Sequence, residues 1–348
     1  MKLFKLEINQ KRIFGLDLLR CVAIMLVMIY HSAMLLPESI SKYLHYIDID
    51  GVSVFFVLSG FLIGGILLKI AEKDGFKFKN LYHFWLRRWI RTLPNYFLFL
   101  FTLAILNKIF VVGFPLSVTP QYAIFFQNIF SDPPGFFQES WSLSVEEWFY
   151  LTIPLLLLIT IKCSKLSIKK LILLISINII ICSIILRFCL IYFNIVEYMG
   201  NYNTSVIMRL DNIMYGVFGA YVHYYYNVFW LKYKKISLLF GIFIIVGLKF
   251  LSMQEQIIGL SFLVLYFYPI LCIGVLLLLP FLSTYSIKKK NILTKAITVI
   301  SLISYSLYLI NYSFVRKLLI ENIFSPYFNG DGLEVVIMRN LFFGHFQF

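Results

Sequence analysis

Ten runs of apolar residues, separated by short polar or basic connections, organise this chain of 348 residues. They lie at about 15–36, 51–70, 92–112, 141–161, 171–193, 206–228, 236–251, 257–282, 296–315 and 332–348. Most reach or approach the ~20 residues that cross ~30 Å of hydrocarbon as a helix. The run at 236–251 is short, and the last holds Arg339. The pattern predicts an all-α, polytopic transmembrane bundle of about ten spans. The longest break, 113–140, contains Pro115, Pro120, Pro133, Pro134 and Gly135, which interrupt regular structure. Segment 77–91 alternates basic and aromatic residues, so it is predicted to lie along the membrane interface before the chain enters the bilayer near Pro94. Gly60 and Gly64 have the spacing that lets two membrane helices approach closely.

Charge fixes the expected orientation. The net charge is +14, and segments 2–12, 69–91, 162–170, 232–235 and 288–295, which are alternate connections, hold most of the 31 Lys and Arg. The positive-inside rule therefore puts both termini in the cytoplasm. The excess positive charge is topological, and no nucleic-acid partner is needed to account for it. Five cysteines without a CxxC give neither a disulfide framework nor a zinc site, and no metal is expected. The first run resembles a signal-peptide core, but Asp17 and Arg20 interrupt it and it is read as retained.

Candidate chemistry sits where polar residues enter the apolar runs. An arginine near the centre of a membrane helix costs roughly 2.5–3.5 kcal/mol and usually faces protein or water. Arg20 and His31 are eleven residues apart, which leaves them about 20° apart around one helix and ~16 Å apart along it. Asp17 can pair with Arg20 on that face. His31 brings a group that exchanges protons near neutral pH. A second cluster, Trp141–Tyr150, contains Ser142, Glu146 and Glu147. Ser144 and Glu147 fit a capping box, so Glu147 has two readings, closure of a helix N-terminus or chemistry; Glu146 is not explained by capping. Arg209 and Asp211 have an ion pair with each other as their simplest reading. Ser304, Tyr305 and Asn311 form a hydroxyl- and amide-rich stretch of the ninth run. With the N-terminus inside, His31, Glu146, Glu147, Arg209, Asp211 and Asn311 fall in the outer half of the bilayer. Arg20 lies deeper, and Arg87, Arg88 and Arg91 ring the cytoplasmic mouth.

These motifs, in order, resemble the acyltransferase-3 family of integral-membrane O-acyltransferases. The resemblance rests on Leu16–Arg20 with His31, Gly51–Phe61, Arg87-Arg88-Trp89-Ile90-Arg91 with Pro94, Trp141–Tyr150, Arg209–Asp211 and Ser304–Leu309. It implies one membrane acyltransferase domain over 1–348 in the cell inner membrane. Acetyl-CoA or another acyl-CoA would be the donor co-substrate, with no bound cofactor. The acceptor would be a hydroxyl of a cell-envelope glycan or lipid-linked sugar. His31 would be the general base, Glu146 or Glu147 would orient it, and Arg20 would bind donor or hold its helix. Arg87, Arg88 and Arg91 suit CoA phosphates, with plain positive-inside anchoring the competing reading. Asp17, Trp141, Ser142, Arg209, Asp211, Ser304, Tyr305 and Asn311 would support the site. Three departures stand out: Ser53 where an acidic residue is common, Asn311 where many relatives carry histidine, and an end at Phe348 without the usual tail. No esterase-like domain is expected, which implies direct transfer or a separate extracytoplasmic partner protein. A proton-coupled transporter and an inactive relative with an assembly role are the competing classes.

Overall fold

The computed structural model describes residues 12–33, 35–36, 38–44, 46–74, 76–110, 119–130, 132–193, 204–253, 263–287 and 291–324. Every regular element among them is helical. In chain order these are α1 (Phe14–Ala33), α2 (Glu38–Leu44), α3 (Gly51–Asp74), α4 (Phe78–Phe110), α5 (Thr119–Ala123) and α6 (Ser140–Cys163). Then come α7 (Ile168–Tyr192), α8 (Val206–Tyr225), α9 (Asn227–Lys232), α10 (Lys234–Ser252), α11 (Tyr268–Leu282) and α12 (Ile292–Ile310). Wider π-helical turns precede α11 at Leu263–Phe267 and continue α12 at Asn311–Phe324.

The first nine predicted runs each become a long helix; the tenth, 332–348, lies outside the described residues, as do Lys2, Lys5 and Lys11. Eight of the nine are long and apolar enough to cross a membrane. The exception is α8, and its place explains its composition. It packs against α3, α6, α7 and α11, and most of its residues are buried. Other helices shield it from lipid, so it tolerates Arg209, Asp211 and Asn212.

Close approach of α3 and α8 depends on missing side chains. A Cβ on Gly60 would collide with the Ile213 carbonyl, and one on Gly216 with the Val57 carbonyl. Gly64 faces Val217 and Ala220. The GxxxG spacing thus finds its partner in the sixth long helix.

Two boundaries differ from expectation. Segment 77–91 is not separate from the third span: α4 is a single helix of 33 residues with Pro94 inside it. At 1.5 Å per residue it is about 50 Å long, well beyond the ~30 Å hydrocarbon core, so its basic first half extends past the apolar layer. Helix α6 begins at Ser140, so Ser144 and Glu147 lie inside it and form no capping box. Ser144 Oγ instead receives the Gln127 amide at 2.5 Å.

Candidate functional site

A cavity of about 760 Å³ opens among α1, α3, α4, α6, α8 and α12. Seven of the residues singled out in the sequence line it: Arg20, Arg88, Arg91, Ser142, Glu146, Ser304 and Tyr305. Helical periodicity accounts for part of this set. Arg88 and Arg91 are three apart on α4, and Ser142 and Glu146 are four apart on α6, so each pair shares a face.

One end of the cavity is cationic. Arg12 closes on Asp17 with two nitrogens of its guanidinium, Nε at 3.0 Å from Oδ2 and Nη2 on Oδ1, while Ser301 Oγ donates to Asp17 Oδ1 at 2.9 Å. Arg20 stands 3.9 Å from the same carboxylate, so the expected Asp17–Arg20 pair exists but is the looser of two. Arg88 lies over the Tyr150 ring at 4.2 Å and donates to its hydroxyl. Tyr150 in turn donates to Glu146 Oε2 at 2.9 Å and meets Ser59 Oγ at 2.8 Å. Arg87, by contrast, is exposed on α4 and does not line the cavity.

The inner end carries neutral hydroxyls. Ser142 Oγ and Tyr308 Oη meet at 2.7 Å, and the Tyr308 hydroxyl also donates to the Glu139 carbonyl at 3.0 Å. Tyr305 Oη donates to the Thr92 carbonyl at 3.0 Å. Ser304 Oγ returns to the Ser301 carbonyl of its own helix.

His31 does not line this cavity. It is half-buried near the outer end of α1, where Asn311 Nδ2 donates to its Nδ1 at 2.9 Å and the Tyr312 ring packs at 4.9 Å. Asn311 is buried, and its Oδ1 has no hydrogen-bond partner. Tyr308, which does line the cavity, precedes Asn311 by three residues, about one turn. His31 therefore stands about one turn of α12 beyond the inner wall. Neither Glu146 nor Glu147 hydrogen-bonds to it, which corrects the expected orienting role. Glu147 is turned to α4, accepting from Trp89 Nε1 at 3.1 Å and Thr92 Oγ1 at 3.4 Å.

Arg209 and Asp211 do not pair with each other. Two residues apart on a helix, they point to different sides. Arg209 binds Asp50 Oδ2 at 2.6 Å and Ser53 Oγ at 3.1 Å, and lies over the Tyr268 ring at 3.7 Å and Trp141 at 5.3 Å. Asp211 binds Arg187 Nη2 at 2.6 Å. Ser53, where an acidic residue is the expectation, thus shares Arg209 with the carboxylate of Asp50, which also accepts the Val52 N–H at 3.0 Å and caps α3.

Sequence reasoning missed four participants: Arg12, Asp50, Glu139 and Arg187. Arg187 had a legible signal, a lone arginine within the apolar run 171–193. Glu139 sits at the N-cap position of α6, where its carboxylate accepts from Ser313 N at 3.0 Å and from the Ser313 hydroxyl. Burial pushes the Glu139 carboxyl up to about 7, against the hydrogen bonds from Ser313 and the charge of Lys317, which favour the ion.

Comparison with known proteins finds relatives of this chain. The peptidoglycan O-acetyltransferase OatA of Listeria monocytogenes is 31% identical over 171 residues, covering 45% of this chain and 26% of that protein. YrhL of Bacillus subtilis is 31% identical over 166 residues, 43% of this chain and 24% of YrhL. A Staphylococcus aureus relative is 34% identical over 165 residues, 42% of this chain and 26% of the relative. The chain thus aligns with only about a quarter of the length of these relatives. No solved structure matches it. The acyltransferase-3 profile, described as an acyltransferase domain, matches residues 13–343. With eight helices fit to cross a membrane and that match over nearly its whole length, the chain belongs to the acyltransferase-3 family of polytopic membrane proteins.

Proposed function

We propose that this protein is an O-acetyltransferase of the cell inner membrane, with residues 1–348 read as one acyltransferase domain and both ends cytoplasmic. It moves an acyl group, acetyl in the simplest case, from cytoplasmic acyl-CoA to a hydroxyl of a cell-envelope glycan. The names of its relatives point to peptidoglycan as the acceptor class. The observation that carries the reading is the polarity of one cavity. It has a cationic end with Arg12, Arg20, Arg88 and Arg91 and a neutral hydroxyl end one helical turn from His31. Guanidinium groups in a low-dielectric cavity attract and fork onto phosphates. An inner end lined by neutral hydroxyls suits a pantetheine arm and its thioester.

In this reading His31 takes the proton of the acceptor hydroxyl as its oxygen attacks the thioester carbonyl. The new C–O bond forms, the C–S bond breaks, and the departing sulfur receives a proton from the imidazolium. Ester and free CoA thiol result. The imidazole needs one bare nitrogen facing the acceptor. With Asn311 Nδ2 against Nδ1, the ring proton sits on Nε2. Rotation of the amide by 180° brings Oδ1 against an Nδ1–H and leaves Nε2 as the base. Asn311 thereby serves, without titrating, at the position where the family resemblance leads one to expect a second imidazole in many relatives.

Mass spectrometry of envelope glycans tests the function. Cells producing the protein should carry O-acetyl esters that are absent from cells lacking it, and identical glycans in both would refute the assignment.

A further inference from the structure

The part of the cavity lining built by α3, α8 and α9 differs in chemistry from the part that carries the arginines. Phe61 and His223 line it. Behind them the buried Trp230 ring stacks on Phe61 at 5.7 Å and 5°, and His223 packs against Phe61 at 5.6 Å and Trp230 at 5.5 Å. Three rings therefore brace one another, and of the two that line the cavity, Phe61 and His223, only the imidazole offers polar ring atoms. Tyr224, 40% exposed, also lines the cavity. Asn227 follows, two residues after α8 ends at Tyr225 and at the first position of α9. Its Nδ2 donates to the His223 carbonyl at 3.2 Å, which leaves Oδ1 as the amide atom open to a ligand. Lys69 lines the same cavity from α3.

A flat heteroaromatic ligand needs a π-face to stack on and an edge group to recognise, and His223, Tyr224 and Asn227 supply both. Among the described residues, the cavity lining holds four arginines and Lys69 against one carboxylate, that of Glu146. A ligand fitting the whole would carry a flat ring for this wall, anionic groups for the cations and a neutral segment for the hydroxyls. We propose that His223, Tyr224 and Asn227 form a nucleobase subsite that receives the adenine of the acyl donor, with Lys69 beside it for the ribose phosphate. The proposal rests on the acyl-CoA reading above and adds to it the part of the donor that this wall selects.

Titration calorimetry on the full chain in lipid nanodiscs, using coenzyme A and the base-free fragment 4′-phosphopantetheine, tests it. Tyr224→Ala and Asn227→Ala should each weaken coenzyme A binding by about tenfold, as loss of a stacking or edge contact does, and leave 4′-phosphopantetheine affinity unchanged. Both side chains are exposed, so neither truncation opens the core. Variants that bind coenzyme A as tightly as the wild type would overturn the subsite while the donor reading stands. Equal loss of both ligands would trace the effect to the fold and also overturn it. A wild-type chain that binds neither ligand would overturn the donor reading together with the subsite.

Discussion

Among the described residues, the buried ion pairs Arg187–Asp211 and Arg209–Asp50 join distant segments of the chain, and buried groups of this kind have measurable consequences. Arg187 and Asp211 are both almost fully buried, so removing one leaves the other uncompensated in a low-dielectric core. Arg187→Met should cost about 3–5 kcal/mol, and Arg187→Met with Asp211→Leu should recover most of it. Thermal unfolding in detergent measures both, and an unchanged melting temperature in the single variant would contradict the pairing. Glu139 makes a second prediction. Its carboxyl is held at about 7 when folded, above the ~4.3 of an exposed glutamate, so between those values the folded state binds more protons than the unfolded state. Stability from this group is therefore present below about pH 4.3 and declines as pH rises toward 7. Glu139→Gln should flatten that decline in a pH series of melting temperatures; an unaltered slope would contradict it. Residue identities were legible in the sequence more often than residue partners. Arg209, Asp211 and Glu147 stand out as polar residues entering apolar runs, the first two with each other as expected partners and Glu147 with helix capping as one of two readings. Their partners, Asp50, Arg187 and Trp89, come from other helices, and sequence spacing holds no information on those crossings.

At the level of elements, hydropathy located every long helix among the described residues because bilayer thickness and internal hydrogen bonding leave little alternative. It misjudged where amphipathic character, not apolarity, defines the helix. Residues 78–91 carry enough charge to look peripheral, yet they form one helix with the span that follows. The capping box at Ser144 failed similarly: the motif is short, and the chain had already turned helical at Ser140. The GxxxG spacing was the most reliable local signal, since its mechanism is steric. Gly60→Val should strongly destabilise the protein, beyond the ~1–3 kcal/mol typical of overpacking, because its obstacle is the Ile213 backbone. Gly65→Ala, with nothing within 4 Å of the added methyl, should be tolerated. Fluorescence-detected size exclusion distinguishes the two, and a monodisperse Gly60→Val protein would contradict the α3–α8 packing.

Taken as a whole, the molecule encloses a polarised cavity within a bundle whose centre is the polar helix α8. The face shared by Arg20 and His31 was legible from their eleven-residue spacing, but their separation along α1 assigns them to different environments. Arg20 borders the cavity, while His31 stands beyond its inner end and is held by Asn311. That division is what a donor entering from one side and an acceptor approaching from the other would require. The most direct test is transfer of labelled acetyl groups from acetyl-CoA to envelope glycan in isolated membranes containing wild-type or His31→Ala protein at equal abundance. Transfer by the wild type and its loss in the variant are expected, and undiminished transfer by His31→Ala would contradict the account.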